Sequence, residues 1–239
     1  MNDAPKSQNR SANTCPLVIG RLLQEGVTRA PHQEIVYADR RSSYRELNER
    51  AGRLASGLAG LGVRPGDTIG VMDWDTHRYL ECFFGIPMMG AVLHTINVRL
   101  SPEQILYTIN HAEDDVLLVN REFLPVLEQI WPRVDPGKRL VLLHDGAGAP
   151  PATSLPIVGE YEALLAGSDT RYAFPDLDED TRATTFYTTG TTGLPKGVYF
   201  THRQLVLHTL AVRAALAGDG HGRVNAGDVY MPITPMFHV

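Results

Sequence analysis

Residues 68–96 read TIGVMDWDTHRYLECFFGIPMMGAVLHTI, and the fold turns on this stretch. Thr68–Met72 is a short, unbroken apolar run. Tyr79–Met89 is mostly apolar and long enough for a helix, and Ala91–Ile96, apolar apart from His94 and Thr95, reads as a second strand. A strand that is apolar at consecutive positions, rather than at every second one, is covered on both faces. Two such strands with a helix between them predict a parallel pair joined by a right-handed crossover.

The same alternation continues outward in both directions. Upstream, Leu47, Ala51, Leu54, Ala55, Leu58 and Leu61 recur at spacings of three and four, the mark of an amphipathic helix. Ser43 and Glu46 stand at capping-box spacing at its start, and Gly62 followed by Arg64-Pro65-Gly66-Asp67 stops it. Downstream, Ser101-Pro102-Glu103-Gln104 supplies a cap, a proline at the first helical position and a reciprocal glutamine, so a second helix opens there. Val116–Val119 predicts a strand, Phe123–Ile130 a helix and Leu140–Leu143 a strand. Residues 145–156 form a Gly/Pro-rich loop, and a short helix is expected over 159–166. The predicted class is α/β, with layered, mainly parallel sheets flanked by helices. Residues 1–14 read as a disordered tail, residues 15–175 as a first α/β subdomain, and residues 176–239 as the start of a second.

Bulk properties narrow the function classes. The 239 residues are 43% hydrophobic and 21% charged, with a formal net charge of -5. No basic stripe suggests a nucleic-acid partner. Cys15 and Cys82 have no metal-ligand or redox spacing, and one pair makes no disulfide framework. The longest apolar run, Cys82–Leu93, is divided by Pro87 and too short to span a bilayer, and the N-terminus lacks a secretory pattern. A soluble, cytoplasmic protein is expected. The acidic stretch 176–180 reads as a solvated connector.

The segment Tyr187–Val198, YTTGTTGLPKGV, carries the chemistry. Strand-like Arg182–Tyr187 enters it, Val198–Phe200 leaves it, and Gln204–Leu216 has helical spacing beyond. Gly190 and Gly193 permit close backbone approach to a ligand. Thr188, Thr189, Thr191 and Thr192 offer hydroxyls, Pro195 stiffens the turn, and Lys196 adds a mobile cation. Backbone donors with one lysine suit a polyphosphate, whose charge is spread over many oxygens. A Walker A loop has glycine before the lysine and Ser/Thr after it; here Pro195 precedes and Gly197 follows, so a Walker-type kinase or GTPase is disfavoured.

Tyr187–Val198 resembles the phosphate-loop signature of the adenylate-forming (AMP-binding) superfamily. Ser43-Tyr44-Arg45-Glu46-Leu47 and the segment Gly90–Leu118 are similar to the same family. Ser101-Pro102-Glu103-Gln104, Asn110-His111-Ala112-Glu113, Thr201-His202-Arg203 and the terminal Pro235-Met236-Phe237-His238-Val239 resemble its fatty-acyl-CoA ligase members most. Apart from the tail, the whole chain is similar in character to the family's N-terminal half.

The resemblance implies two steps. A small-molecule carboxylic acid attacks the α-phosphate of ATP to give acyl-adenylate and pyrophosphate, and the thiol of coenzyme A then displaces AMP. Thr188, Thr189, Gly190, Thr191, Thr192, Gly193 and Lys196 would grip the phosphates, Thr188 would be a Mg²⁺ ligand, and His238 would lie at the acyl-substrate pocket. His202 is expected to be structural, and Met88, Met89, Met236 and Phe237 to be core. Family motifs beyond His238 are not present, so residues 1–239 are expected to be unable to turn over alone and to expose apolar surface. An aryl-acid or coumarate-type CoA ligase, a non-catalytic nucleotide-binding fragment, and a homodimer in the full-length protein stay open.

Overall fold

The computed structural model describes residues 15–144, 152–188, 193–217, 224 and 228–238. Helix α1 (Ile19–Arg29) leads into a small antiparallel hairpin of β1 (Glu34–Tyr37) and β2 (Arg40–Ser43). Then come α2 (Tyr44–Gly60), β3 (Thr68–Met72), α3 (His77–Met88), β4 (Val92–Thr95), α4 (Pro102–His111), β5 (Val116–Asn120), α5 (Leu124–Ile130) and β6 (Arg139–Leu143). The chain closes with β7 (Ile157–Glu160), α6 (Tyr161–Ala166), β8 (Arg182–Thr188), β9 (Lys196–Thr201) and α7 (His202–Leu216).

Seven strands form one sheet in the order β7-β6-β5-β3-β4-β8-β9. All neighbours are parallel except β9, which pairs antiparallel with β8 at the edge. The continuous apolar runs now have a physical reason. Val116 and Leu118 of β5 pack on one face with Leu54, Leu58, Tyr79, Cys82 and Ile86 of α2 and α3. Leu117 and Val119 pack on the other with Ile105, Ile109, Leu127 and Ile130 of α4 and α5. In β6, Val141 and Leu143 join the first face and Leu140 and Leu142 the second. Strand period two therefore demands apolar residues at every position. Each fully buried Leu or Ile side chain contributes about 1.5–3 kcal/mol.

The caps fall where the sequence puts them. Ser43 Oγ accepts the Glu46 N–H at 3.2 Å while the Glu46 carboxylate accepts the Ser43 N–H at 2.7 Å. Ser101 and Gln104 repeat the arrangement at α4, and Thr201 and Gln204 at α7. Gly62 ends α2 with φ 90°, a conformation glycine reaches without strain. Pro87 lies in the last turn of α3, which ends one residue later.

The helix Phe123–Ile130 splits into a 3₁₀ turn at residues 121–123 and α5 proper, and the expected 159–166 helix is preceded by the unforeseen strand β7. Helix α1 and the β1–β2 hairpin lay in stretches to which the sequence assigned no element. Met88 and Met89 are buried as expected, at 6% and 0% exposure. The acidic connector does more than stay solvated: Glu179 accepts the Leu17 N–H at 2.7 Å and pairs with Arg203.

Candidate functional site

The motif segment folds as a hairpin at the sheet's edge. Strand β8 is held by β4 through the parallel pairs Leu93 with Thr184 and His94 with Thr185. It leaves the sheet in the same direction as the other parallel strands, so the turn after Thr188 lies at their carboxyl edge. Strand β9 returns antiparallel, in register Thr188 with Lys196, Tyr187 with Gly197 and Phe186 with Val198. Thr188 and Lys196 thus face each other across the hairpin mouth. Both are exposed, and the Thr188 hydroxyl reaches the Lys196 carbonyl only at 3.5 Å. Gly193 lies exposed in the turn, where an added Cβ would meet nothing within 4 Å. Thr189, Gly190, Thr191 and Thr192 lie outside the described residues.

A second group of residues meets at the same edge. After β3 the chain enters α3 on one face of the sheet; after β4 it enters α4 on the other. Adjacent strands whose connections diverge in this way leave a crevice at their carboxyl ends, where ligands of open α/β sheets bind. Residues 235–238 cross this crevice. The Met236 N–H donates to Asp75 Oδ1 at 2.5 Å, and the Arg99 guanidinium lies 5.8 Å from the centre of the Phe237 ring. Phe237 is 3% exposed and joins the α2–α3 side of the core, with Met236 packed against it. That anchoring holds His238 at the surface, its N–H donating to the Pro235 carbonyl at 2.9 Å.

Beneath the crevice, Asp73 is fully buried at the end of β3. It accepts from the Thr76 hydroxyl at 2.5 Å, the Asn120 amide at 2.7 Å and the Trp74 N–H at 2.9 Å. Burial pushes its carboxyl above the ordinary carboxylate value, and the three donors oppose that rise. The cluster ties the loop after β3 to the end of β5 and so fixes Asp75 under Met236. Asp73, Asp75, Arg99 and Asn120 belong to no short motif. Only the strand order brings them together, so the sequence offered no local signal for them.

Mg²⁺ takes oxygen ligands and usually keeps waters, with one or two protein groups and the substrate phosphates completing its shell. Among the described residues no group of three or more His, Cys, Asp or Glu could hold a metal ion. The exposed Thr188 hydroxyl, with only a long contact to the Lys196 carbonyl, fits an ion carried mainly by phosphates.

Residues 23–239 match the family described as AMP-binding enzyme, so the chain belongs to that family. The chain is 38% identical over 229 residues to the medium-chain-fatty-acid–CoA ligase of Ectopseudomonas oleovorans, covering 93% of this chain and 41% of that protein. It is 43% identical over 199 residues to the long-chain-fatty-acid–CoA ligase of Thermus thermophilus, covering 83% of this chain and 34% of that protein. Among solved structures, the anthranilate CoA ligase AuaEII in complex with anthranoyl-AMP superposes with a TM-score of 0.71 at 26% identity, over 79% of this chain and 36% of that one. The chain thus spans about two fifths or less of the length of these relatives. Among the described residues no helix is long and apolar enough to cross a membrane.

Proposed function

We propose that this chain carries the ATP-phosphate site of an AMP-forming acyl-CoA ligase acting on medium- or long-chain fatty acids. The observation that supports it most is the hairpin mouth, where Thr188 and Lys196 face each other at the carboxyl edge of a parallel sheet, in a chain of the AMP-binding family. In this reading residues 176–239 begin a second α/β unit, joined through β8 to the first unit of residues 15–175.

The chemistry follows from where charge develops. As the acid's carboxylate oxygen bonds to the α-phosphorus of ATP, the bond to the bridging oxygen breaks and negative charge collects on the departing pyrophosphate. Lys196, exposed beside the mouth, meets that charge as a point cation on a flexible stem. Glycine and threonine residues 188–193 add backbone and hydroxyl donors. Mg²⁺, when bound, neutralises phosphate charge, and Thr188 is the residue here that would hold it. His238, presented at the crevice by the anchored Phe237, would face the carboxylate and the α-phosphate. Coenzyme A sulfur then attacks the acyl carbonyl carbon and AMP leaves.

An aryl-acid ligase is the second reading, favoured by the likeness to the anthranilate ligase. The higher identities to the two fatty-acid ligases favour the first. Pyrophosphate release with ATP, Mg²⁺ and parallel panels of fatty and aryl acids separates them, run on residues 1–239 and on the longest product of the same reading frame. Because the relatives are more than twice as long, residues 1–239 are expected to bind ATP without turning it over. A longer product should release pyrophosphate with fatty acids; one that responds only to aryl acids overturns the substrate assignment.

A further inference from the structure

The proposed reaction leaves unused a buried polar pair directly behind the hairpin, with the exposed His111 near it. His94 of β4 and Asp114, just after α4, are both 0% exposed, with His94 Nδ1 at 2.9 and 3.0 Å from the two carboxylate oxygens. The sheet makes room for this pair at Gly70, where an added Cβ would lie 2.7 Å from Asp114 Oδ2. The His94 ring packs against the Tyr187 ring at a centroid distance of 5.2 Å. At the far end of Tyr187, its hydroxyl lies 2.8 Å from Nδ1 of His111, the last residue of α4. Across the hairpin the same ring covers Gly197: a Cβ there would stand 3.3 Å from Tyr187 Cε1 and 3.5 Å from its hydroxyl oxygen.

Tyr187 immediately precedes Thr188, and Gly197 immediately follows Lys196. A ring fixed by His94 on one side and His111 at its tip, and seated on Gly197, therefore governs both rims of the hairpin mouth. Further from the mouth the hairpin is held by the Thr185 hydroxyl donating to the Val198 carbonyl at 3.0 Å, by Phe186 against Phe200, and by Arg182 over the Tyr199 ring. Strand β9 is the sheet edge, with Lys196, Gly197 and Tyr199 exposed.

We infer that His111, acting through its hydrogen bond to Tyr187, is a positioning residue that sets Thr188 and Lys196 for a triphosphate, with the His94–Asp114 pair as the fixed wall against which the tyrosine ring rests. The inference rests on the reading that Lys196 binds ATP phosphates. Burial, reinforced by the charge of Asp114, raises the Tyr187 phenol above its ordinary value, so the hydroxyl keeps its proton beside His111 Nδ1.

The test is calorimetric titration of the 239-residue chain with ATP and Mg²⁺, and separately with inorganic tripolyphosphate. The proteins are the parent and the variants Tyr187→Phe, His111→Ala, His111→Gln and Lys196→Ala, each with its thermal midpoint. Tyr187→Phe keeps the ring and removes one hydroxyl; His111→Ala removes the hydrogen-bond partner; His111→Gln supplies another. Expected are an affinity about three- to tenfold weaker for both ligands in Tyr187→Phe and His111→Ala, recovery in His111→Gln to within about twofold, and little change in midpoint. If Lys196→Ala abolishes binding while Tyr187→Phe and His111→Ala bind like the parent, the positioning role is overturned and the phosphate reading stands. The role is also overturned if affinity and midpoint fall together without rescue by glutamine, or if both variants fail to fold, because the bond then serves stability alone. If the parent binds neither ligand, the phosphate reading falls and this inference with it.

Discussion

The backbone N–H of Ile19 donates to Nδ1 of His202 at 3.2 Å, joining the start of α1 to the start of α7 across 183 residues of sequence. His202 is 0% exposed. Its Nδ1 must be unprotonated to accept, so the ring is neutral in the folded chain. Burial lowers its pKa below the ordinary 6.5, against a smaller opposing pull from the Pro87 carbonyl.

A pH dependence of stability follows. Below pH 6.5 the unfolded chain takes up a proton on this ring that the folded chain resists. The contribution is therefore fully present above pH 6.5 and is lost as pH falls through the lower folded value. Thermal midpoints between pH 8 and pH 5 should decline below about 6.5. His202→Gln should be less stable at pH 8 but show a shallower decline. Parallel curves for parent and variant would refute this account of the ring.

Gly70→Ala should destabilise the sheet centre. Its Cβ would stand 2.6 Å from Leu117 Cδ2, 2.7 Å from Asp114 Oδ2 and 2.9 Å from Ile96 Cδ1, and these three buried side chains, on β5, before β5 and just after β4, cannot all retreat. Overpacking of this kind costs about 1–3 kcal/mol, read as a lower midpoint in urea unfolding. A variant as stable as the parent means the Asp114 carboxylate is free to move, against the wall assigned to it.

Arg50 should matter more to stability than Glu162. Its guanidinium donates to Glu81 at 2.6 and 3.1 Å and to Glu162 at 2.9 and 3.0 Å. Glu81 also accepts the Tyr161 hydroxyl at 2.8 Å, and its side chain is 4% exposed against 41% for Glu162. Removing Arg50 strands a buried carboxylate; Arg50→Met should cost about 3–5 kcal/mol. Glu162 is half in water, and Glu162→Gln should cost about 0–1 kcal/mol. Although burial pulls the Glu162 carboxyl up, His77 and Arg50 hold it at about 2, so this bridge is present above pH 4.5 and weakens as pH falls toward 2. Equal losses for the two variants in urea unfolding would contradict the ranking.

How far the sequence could be read depended on the range of the interactions involved. Strand β3 was legible to the residue because Gly66-Asp67 and Asp73 bracket an unbroken apolar run. Helix α4 was legible from Ser101, Pro102 and Gln104, whose contacts are three residues apart. Strand β7 was missed because Pro156 and Gly159 break its pattern and only one edge of it is paired. The β1–β2 hairpin was missed because β2 reads Arg-Arg-Ser-Ser and lies outside the main sheet. Within the candidate site, the strand-like stretches entering and leaving the motif were legible, while their pairing as a hairpin with Thr188 opposite Lys196 came from the structure. His94, Asp114, Asp75 and Arg99 reach the site through strand order and long-range packing, which no local spacing encodes. His202 and Phe237 match their expected structural roles, both buried.

The most direct measurement is titration of the parent chain and Lys196→Ala with ATP and Mg²⁺. Lys196 is exposed at the hairpin mouth, so its removal should leave the thermal midpoint unchanged. Saturable binding by the parent, weakened about tenfold or more in the variant, is the predicted result. Equal affinities, or no binding by a folded parent, would contradict the claim that this hairpin grips the triphosphate.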